Sequence, residues 1–308
     1  MSLKNDGTWW TWGGNNFGQL GQSNITTYSS PVQVGTLTTW YKVFAGYEQS
    51  MAIKTDGTLW AIGNNDYGQL GDSTIIKKSS PIQVGTLTDW TQLAGGYHTA
   101  AIKTNRTLWA WGFNTFGEVG DGTIGAKSSP VQVGLLTDWK YVSCGIFHSI
   151  ALKIDGTLWA MGHNSNGQLG LGDSAHRSSP VQIGALTNWK YISCGFYYSM
   201  AITTDGTLWA WGENIGGQLG DGTATNRSSP VQVGALTNWK SISSGDRMSV
   251  GIKTDGTLWA WGTNANGQLG QGNLTYYSSP VQIGSLSTWK TIGCVASSII
   301  AIKDEGGL

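Results

Sequence analysis

Charge is scarce in this 308-residue chain, where only 12% of residues are Asp, Glu, Lys or Arg and the 18 basic residues balance the 18 acidic ones. With no run of Lys or Arg, the composition argues against nucleic acid or an anionic membrane surface as the main partner. Cysteine is nearly lacking too: three residues, an odd number, none in a Cys-x-x-Cys pair. That argues against a disulfide framework and a zinc site and fits a reducing compartment. No apolar run approaches the length of a membrane span, and Met1–Gly7 is too short and polar for a signal peptide, so a cytoplasmic setting is expected. Glycine is plentiful, at 46 residues, but lacks the three-residue period of collagen.

What the chain has instead is one unit repeated six times. Asp-Gly-Thr begins at Asp6, Asp56, Asp155, Asp205 and Asp255, and Asn105-Arg106-Thr107 is its degenerate copy. Each unit of about 50 residues carries four short segments, as in WKYISCG (189–195), SMAITT (199–204), TLWAWG (207–212) and SSPVQVG (228–234). These are rich in β-branched and aromatic residues, bounded by Gly, Asn or Asp, and too short for helices. Asp-Gly between the second and third supplies a tight hairpin turn. The six prolines, Pro31, Pro81, Pro130, Pro180, Pro230 and Pro280, all fall in the fourth segment, which is therefore expected at the sheet edge. Four strands per repeat at this period predict an all-β, six-bladed β-propeller of four-stranded antiparallel blades, one domain over residues 1–308.

The chain begins at the second-to-third turn of a unit, and residues 289–303, WKTIGCVASSIIAIK, supply a first and a second segment. Closure by pairing these N- and C-terminal strands is the expectation, because it removes exposed sheet edges. Lys303–Leu308 also aligns with Lys253–Leu258, which leaves open a longer array.

The motif WGxNxxGQLG, followed by SSPVQV and WK-x-I-x-x-G, resembles the regulator-of-chromosome-condensation repeat family over essentially the whole chain. The resemblance implies a propeller, usually of seven blades. It also brings guanine-nucleotide exchange on a small GTPase, the activity of the founding member on chromatin. That member uses a basic tail and an inserted hairpin wedge, and neither is found here. Some bacterial propellers are lyases or hydrolases, and a secreted β-lactamase-inhibitory protein carries this repeat, so an enzyme and an enzyme-inhibitory protein are further alternatives. The tryptophan cluster of a plant ultraviolet-B photoreceptor with this repeat lies on a loop face. Here the tryptophans stand at strand positions shared by most repeats, which reads as packing.

Comparing the repeats with one another separates two faces. The turns TDGT and VGxLTxW hardly change, whereas the loops joining segments one to two and three to four vary almost freely. In the first loop stand Tyr47-Glu48-Gln49, Gly96-Tyr97-His98, Ile146-Phe147-His148, Phe196-Tyr197-Tyr198, Asp246-Arg247-Met248 and Ala296-Ser297-Ser298. In the second the aligned position reads Gly14, Asn64, Phe113, His163, Glu213 and Thr263. All four histidines, His98, His148, His163 and His176, fall on this face. Drift on exposed loops favours small polar residues and does not readily place Tyr97, Phe147 and Tyr197 at one position in three consecutive repeats. An exposed aromatic arc marks a binding surface.

The expectation is a non-enzymatic, monomeric propeller that binds a protein through Tyr47, Glu48, Tyr97, His98, Phe113, Phe147, His148, His163, Phe196, Tyr197, Tyr198, Asp246 and Arg247. An amplified or engineered array without a selected partner remains an alternative. No cofactor is implied. His98 and His148 lack a carboxylate at ligand spacing, so no metal is expected. GQLGDG lacks the Lys-Ser/Thr of a phosphate loop, and Cys144, Cys194 and Cys294 align with Ala or Ser, a small-residue packing site.

Overall fold

The structure, a computed structural model, describes residues 1–304 and falls into two compact units, Met1–Phe147 and His148–Leu308. The first holds β1 (Ser2–Leu3), β2 (Trp9–Gly13), β3 (Tyr28–Gln33), β4 (Trp40–Ala45), β5 (Gln49–Lys54), β6 (Leu59–Gly63) and β7 (Lys78–Gln83), then β8 (Trp90–Gly95), β9 (His98–Lys103), β10 (Leu108–Gly112), β11 (Lys127–Gln132) and β12 (Trp139–Cys144). The second holds β13 (His148–Lys153), β14 (Leu158–Gly162), β15 (Arg177–Gln182), β16 (Trp189–Cys194), β17 (Tyr198–Thr203), β18 (Leu208–Gly212) and β19 (Arg227–Gln232). It continues with β20 (Trp239–Ser244), β21 (Met248–Lys253), β22 (Leu258–Gly262), β23 (Tyr277–Gln282), β24 (Trp289–Val295) and β25 (Ser298–Lys303). There is no helix among the described residues. The fold class is the one the repeats predict: all-β, six blades of four antiparallel strands, a six-bladed β-propeller.

β4 to β7, β8 to β11, β16 to β19 and β20 to β23 each form a blade in chain order, with the Pro-bearing strand at the edge. The terminal pairing differs from expectation. Ser2 and Leu3 are themselves a strand, pairing with Trp10 and Trp9 across the Asp6-Gly7 turn, so β2 has its inner neighbour from the residues just before it. β24 and β25 form a two-stranded sheet. Ile300 and Ile302 on β25 are 50% and 58% exposed, whereas their counterparts Val250 and Ile252 on β21 are buried. The expected alignment of Lys303–Leu308 lies, from residue 305 on, outside the described residues.

The two fixed phrases have local physical causes. In DGTLW, the Asp56 carboxylate accepts from Thr58 N and Oγ1, and Thr58 Oγ1 in turn accepts from Trp60 Nε1 at 2.9 Å. These bonds from Thr58 hold the Asp56 carboxyl below its ordinary pKa. Gly57 sits at φ 78°, and a Cβ there would come within 1.9 Å of Thr88 O, which favours Gly, although Arg106 holds the same turn position at φ 63° in the degenerate copy. In GQLG, the indole of the following blade is the constraint. Trp111 Nε1 donates to Gln69 O at 2.9 Å, and a Cβ on Gly71 would meet that same nitrogen at 2.6 Å. Trp211 repeats the bond with Gln168 O and Trp261 with Gln218 O. Each phrase is thus locked to a neighbouring strand. The second Trp of LWAWG (Trp111, Trp211, Trp261) is fully buried. The first Trp, Trp159 or Trp209, is only partly buried, and Trp209 packs edge-on against Trp189 at 5.9 Å.

Candidate functional site

Each blade brings its two variable loops together through its own backbone. Asn64 N donates to Glu48 O, Phe113 N to Tyr97 O, Glu213 N to Tyr197 O and Thr263 N to Arg247 O. The sequence comparison therefore paired the right positions, and the side chains of each pair rise from one rim.

In the first unit this rim is aromatic. Tyr97 and Phe147 stack with ring centroids 5.2 Å apart and planes 25° apart. Phe113 lies 5.2 Å from Phe147, and Tyr47 lies 4.9 Å from Tyr97. Tyr67 meets Phe113 edge-on at 4.9 Å, and Phe116 meets Phe147 edge-on at 6.2 Å. Six rings thus form one connected patch. Tyr47 and Tyr67 are 41% and 40% exposed, and the other four are half-buried because they cover one another.

Two carboxyl groups border the patch. Glu48 follows Tyr47, and its Oε2 accepts from Asn64 Nδ2 at 2.7 Å. Burial pushes the Tyr97 hydroxyl up to about 12, and the Glu48 charge adds to the effect. Glu118 is fully buried; its Oε2 accepts from Phe116 N at 2.9 Å, while Oε1 has no partner. Burial pushes this carboxyl up to about 7.

The second unit fills the same positions with polar groups that satisfy one another. Arg247 Nε donates to Glu213 Oε2 at 3.2 Å, and Gln218 Nε2 donates to the same oxygen at 3.1 Å. His163 stacks on His176 at 4.8 Å, its Nδ1 lies 2.6 Å from Gln168 Nε2, and Tyr197 packs edge-on against it at 6.2 Å. Burial, with His176 adding, brings His163 down to about 4. Phe196 and Asp246 are half-buried, each with its backbone N–H on the first loop of the next blade. Burial raises the Asp246 carboxyl.

Three expected rim residues are core residues instead. His98, His148 and Tyr198 are fully buried, because the second strand begins one residue earlier than its pattern predicts and takes them into the sheet. His148 Nε2 lies 2.9 Å from Ser199 Oγ, and the Tyr198 hydroxyl donates to Met248 O. Burial lowers His98 to about 4 and raises the Tyr198 hydroxyl far above its ordinary value. These side chains tie blades together. Tyr97 and Phe147 come together as expected, while Tyr197 belongs to the histidine cluster of the second unit.

Tyr67, Phe116 and Glu118 escaped the sequence reading, although a signal for them is present. The residue before GQLG is Phe17, Tyr67 and Phe116 in the first three repeats, then Asn166, Gly216 and Asn266. Residues 117–120 read GEVG, the one copy in which Gln becomes Glu. The second fact lay inside a phrase that looked invariant, and the first at a variable position of WGxNxxGQLG, three residues beyond Phe113 and its counterparts. Among the described residues, no group of three or more His, Cys, Asp or Glu is placed to hold a metal ion.

Structural comparison finds the same fold in the complex of Kap60 bound to yeast RCC1 (Prp20). That match has a TM-score of 0.85 at 22% identity and covers 99% of this chain and 78% of that one. Human WBSCR16 gives 0.84 at 21% identity, covering 99% and 84%. Prp20p from Saccharomyces cerevisiae, described with its binding to Gsp1p and histones, gives 0.60 at 19% identity, covering 99% and 94%. No curated protein sequence matches the chain. The model of the regulator of chromosome condensation (RCC1) repeat matches six times, at residues 6–53, 56–102, 107–152, 155–202, 205–252 and 255–302. These six matches span nearly the whole chain, and the chain belongs to the RCC1-repeat family.

Proposed function

We propose that this protein is a non-enzymatic binding module that holds another protein against the aromatic patch of its first unit. The observation that carries the reading is the continuous contact of six rings, from Tyr47 to Phe147, supplied by four variable loop positions of three consecutive repeats. Rigid, partly exposed aromatic rings supply large contact area at little entropic cost, which is why they anchor protein interfaces. The balance of 18 basic and 18 acidic residues favours a protein over nucleic acid or membrane as partner, with the module acting as a monomer. Relatives of this fold include one solved with Kap60 and one described with Gsp1p and histones, which fits a protein-binding role. Among the described residues, the rim brings no nucleophile, base and orienting group into mutual reach, and Glu213 and His163 find local partners in Arg247, Gln218 and Gln168.

The test is affinity capture with the wild-type chain against a Tyr67→Ala/Tyr97→Ala variant, followed by direct titration of the purified partner. Loss of capture on a variant that remains folded, with only a small drop in melting temperature, supports the reading. A partner retained equally by both proteins would place the interface elsewhere.

A further inference from the structure

Elsewhere in its first unit this protein supplies its own cations to its aromatic rings. Lys54 Nζ lies 3.7 Å from the Trp60 ring centre, and Lys103 Nζ lies 4.2 Å from that of Trp109. Lys103 also pairs with Asp89 at 3.5 Å. In the second unit Lys253 covers Trp259 at 3.3 Å, and Arg247 neutralises Glu213. The aromatic patch breaks this habit. Among the described residues no Lys or Arg lies over Tyr67, Tyr97 or Phe113, and none is within ion-pair distance of Glu48 or Glu118. The nearby Lys77 is committed to Asp66 at 3.2 Å and to the Phe17 ring at 4.9 Å.

We infer that the aromatic patch receives a cationic side chain, Arg or Lys, from its protein partner, seated on Tyr67 and Tyr97 with Glu48 as counter-ion. The inference rests on the protein-binding reading above and names the chemistry of the partner.

Ring faces carry negative electrostatic potential and attract a cation, the more strongly when it is shielded from water. Three tyrosines and a carboxylate converge here, since the Glu48 charge and the Tyr47 and Tyr67 hydroxyls all act on Tyr97. Asn64 Nδ2 holds the Glu48 carboxylate in place, but an amide adds no charge to cancel it. Beneath the rings lies Glu118. In the equivalent place Gln168 and Gln218 reach His163 and Glu213, whereas here the rim residue is Phe113, which has no polar atom. The negative potential of the rings and of the Glu48 carboxylate therefore goes uncancelled until a partner cancels it, and complementary charge gives such an interface its orientation.

A random-peptide display library panned on the full chain, with counter-selection on the Tyr67→Ala/Tyr97→Ala variant, tests this directly. Recovered peptides are synthesised in pairs, with each Arg replaced by citrulline or each Lys by acetyl-lysine, and titrated against wild type and Glu48→Gln. Glu48→Gln keeps the acceptor for Asn64 and the side-chain volume, so it tests charge even if the double variant fails to fold. The expected result is patch-dependent peptides rich in Arg or Lys that lose about fivefold or more in affinity on neutralisation of either side. Patch-dependent peptides indifferent to both neutralisations overturn the cation inference and leave the binding reading standing. Absence of any patch-dependent peptide overturns both.

Discussion

Asn64 N reaches Glu48 O and Phe113 N reaches Tyr97 O in the first unit, and Glu213 N reaches Tyr197 O and Thr263 N reaches Arg247 O in the second, all between 2.8 and 3.2 Å. The same frame carries opposite contents. In the second unit Glu213 holds Arg247 and Gln218, and His163 holds Gln168, so the rim completes its own charges and hydrogen bonds. In the first, rings occupy the matching positions, and among the described residues the Glu48 carboxylate accepts from the Asn64 amide while one oxygen of Glu118 has no hydrogen-bond partner. In a repeat protein, recognition belongs where the shared frame carries side chains that do not satisfy one another. A rim that satisfies itself has little to gain from a partner, whereas one that leaves apolar rings and carboxyls unmatched gains by being covered.

The comparison assumes equivalent frames, and the largest expected effect tests that assumption. Trp111→Ala and Trp211→Ala remove fully buried indoles that make the same bond, to Gln69 O and Gln168 O respectively. Each should cost about 3–5 kcal/mol of stability, from lost burial and the cavity left behind. Urea unfolding measures both, and a cost below about 1 kcal/mol at either site would show that the two frames are not built alike.

Contents come next. Tyr67→Ala with Tyr97→Ala should weaken partner binding by about 2 kcal/mol or more, while Tyr197→Ala in the second unit leaves it nearly unchanged. Because the Tyr97 ring packs on Tyr47 and Phe147, the double variant should also lose about 1 kcal/mol of stability. Equal binding losses from Tyr97→Ala and Tyr197→Ala would erase the distinction between the units.

Glu118 gives a pH-dependent test. Its folded pKa, about 7, lies above the ordinary carboxyl value, so between roughly pH 4.5 and 7 the folded state holds more protons than the unfolded chain. Stability from this group is therefore present at low pH and lost as pH rises through that window. Glu118→Gln, the residue of the other five copies, should stabilise the protein by on the order of 2 kcal/mol near pH 8 and by little near pH 4. Thermal melts at the two pH values decide it, and a pH-independent difference would show that ionisation is not the cause.

Most of the frame was legible in the sequence because it rests on local rules. A Gly at positive φ, an Asp-to-Thr turn and a Pro-bearing edge strand each leave a mark at fixed spacing. The rim was half legible. Tyr47, Tyr97, Phe113 and Phe147 stood out as variation at loop positions, whereas Tyr67 and Phe116 stand three residues further along the second loop, at a variable position next to the fixed GQLG. His98, His148 and Tyr198 misled for the opposite reason. They vary as rim residues do, yet a strand that begins one residue earlier turns them into the core, where Gln49 and Met248 do the same job in other blades. Gln49 Nε2 reaches Gly96 O and the Tyr198 hydroxyl reaches Met248 O, so one structural task is met by different side chains. The terminal pairing was misread because Ser2 and Leu3 are a very short strand, and only their register with Trp10 and Trp9 reveals it.

The smallest expected effect sharpens the comparison from the polar side. Arg247→Ala removes the cation from Glu213 while Gln218 still donates to it, so the rim should resemble the Glu48 side in charge but not in rings. The Arg247 side chain is 42% exposed and that of Glu213 10%, and such half-exposed pairs contribute little. The stability cost should be below about 1 kcal/mol and should shrink further in high salt. If charge alone made a cation site, Arg247→Ala would let the second unit compete for Arg-bearing peptides recovered on the aromatic patch. If rings and charge are needed together, a titration of those peptides against Arg247→Ala/Tyr97→Ala should show no regained affinity. That second outcome is the expected one, because Tyr197 in the second unit packs edge-on against His163, whereas Tyr97 stacks on Phe147 within the aromatic patch.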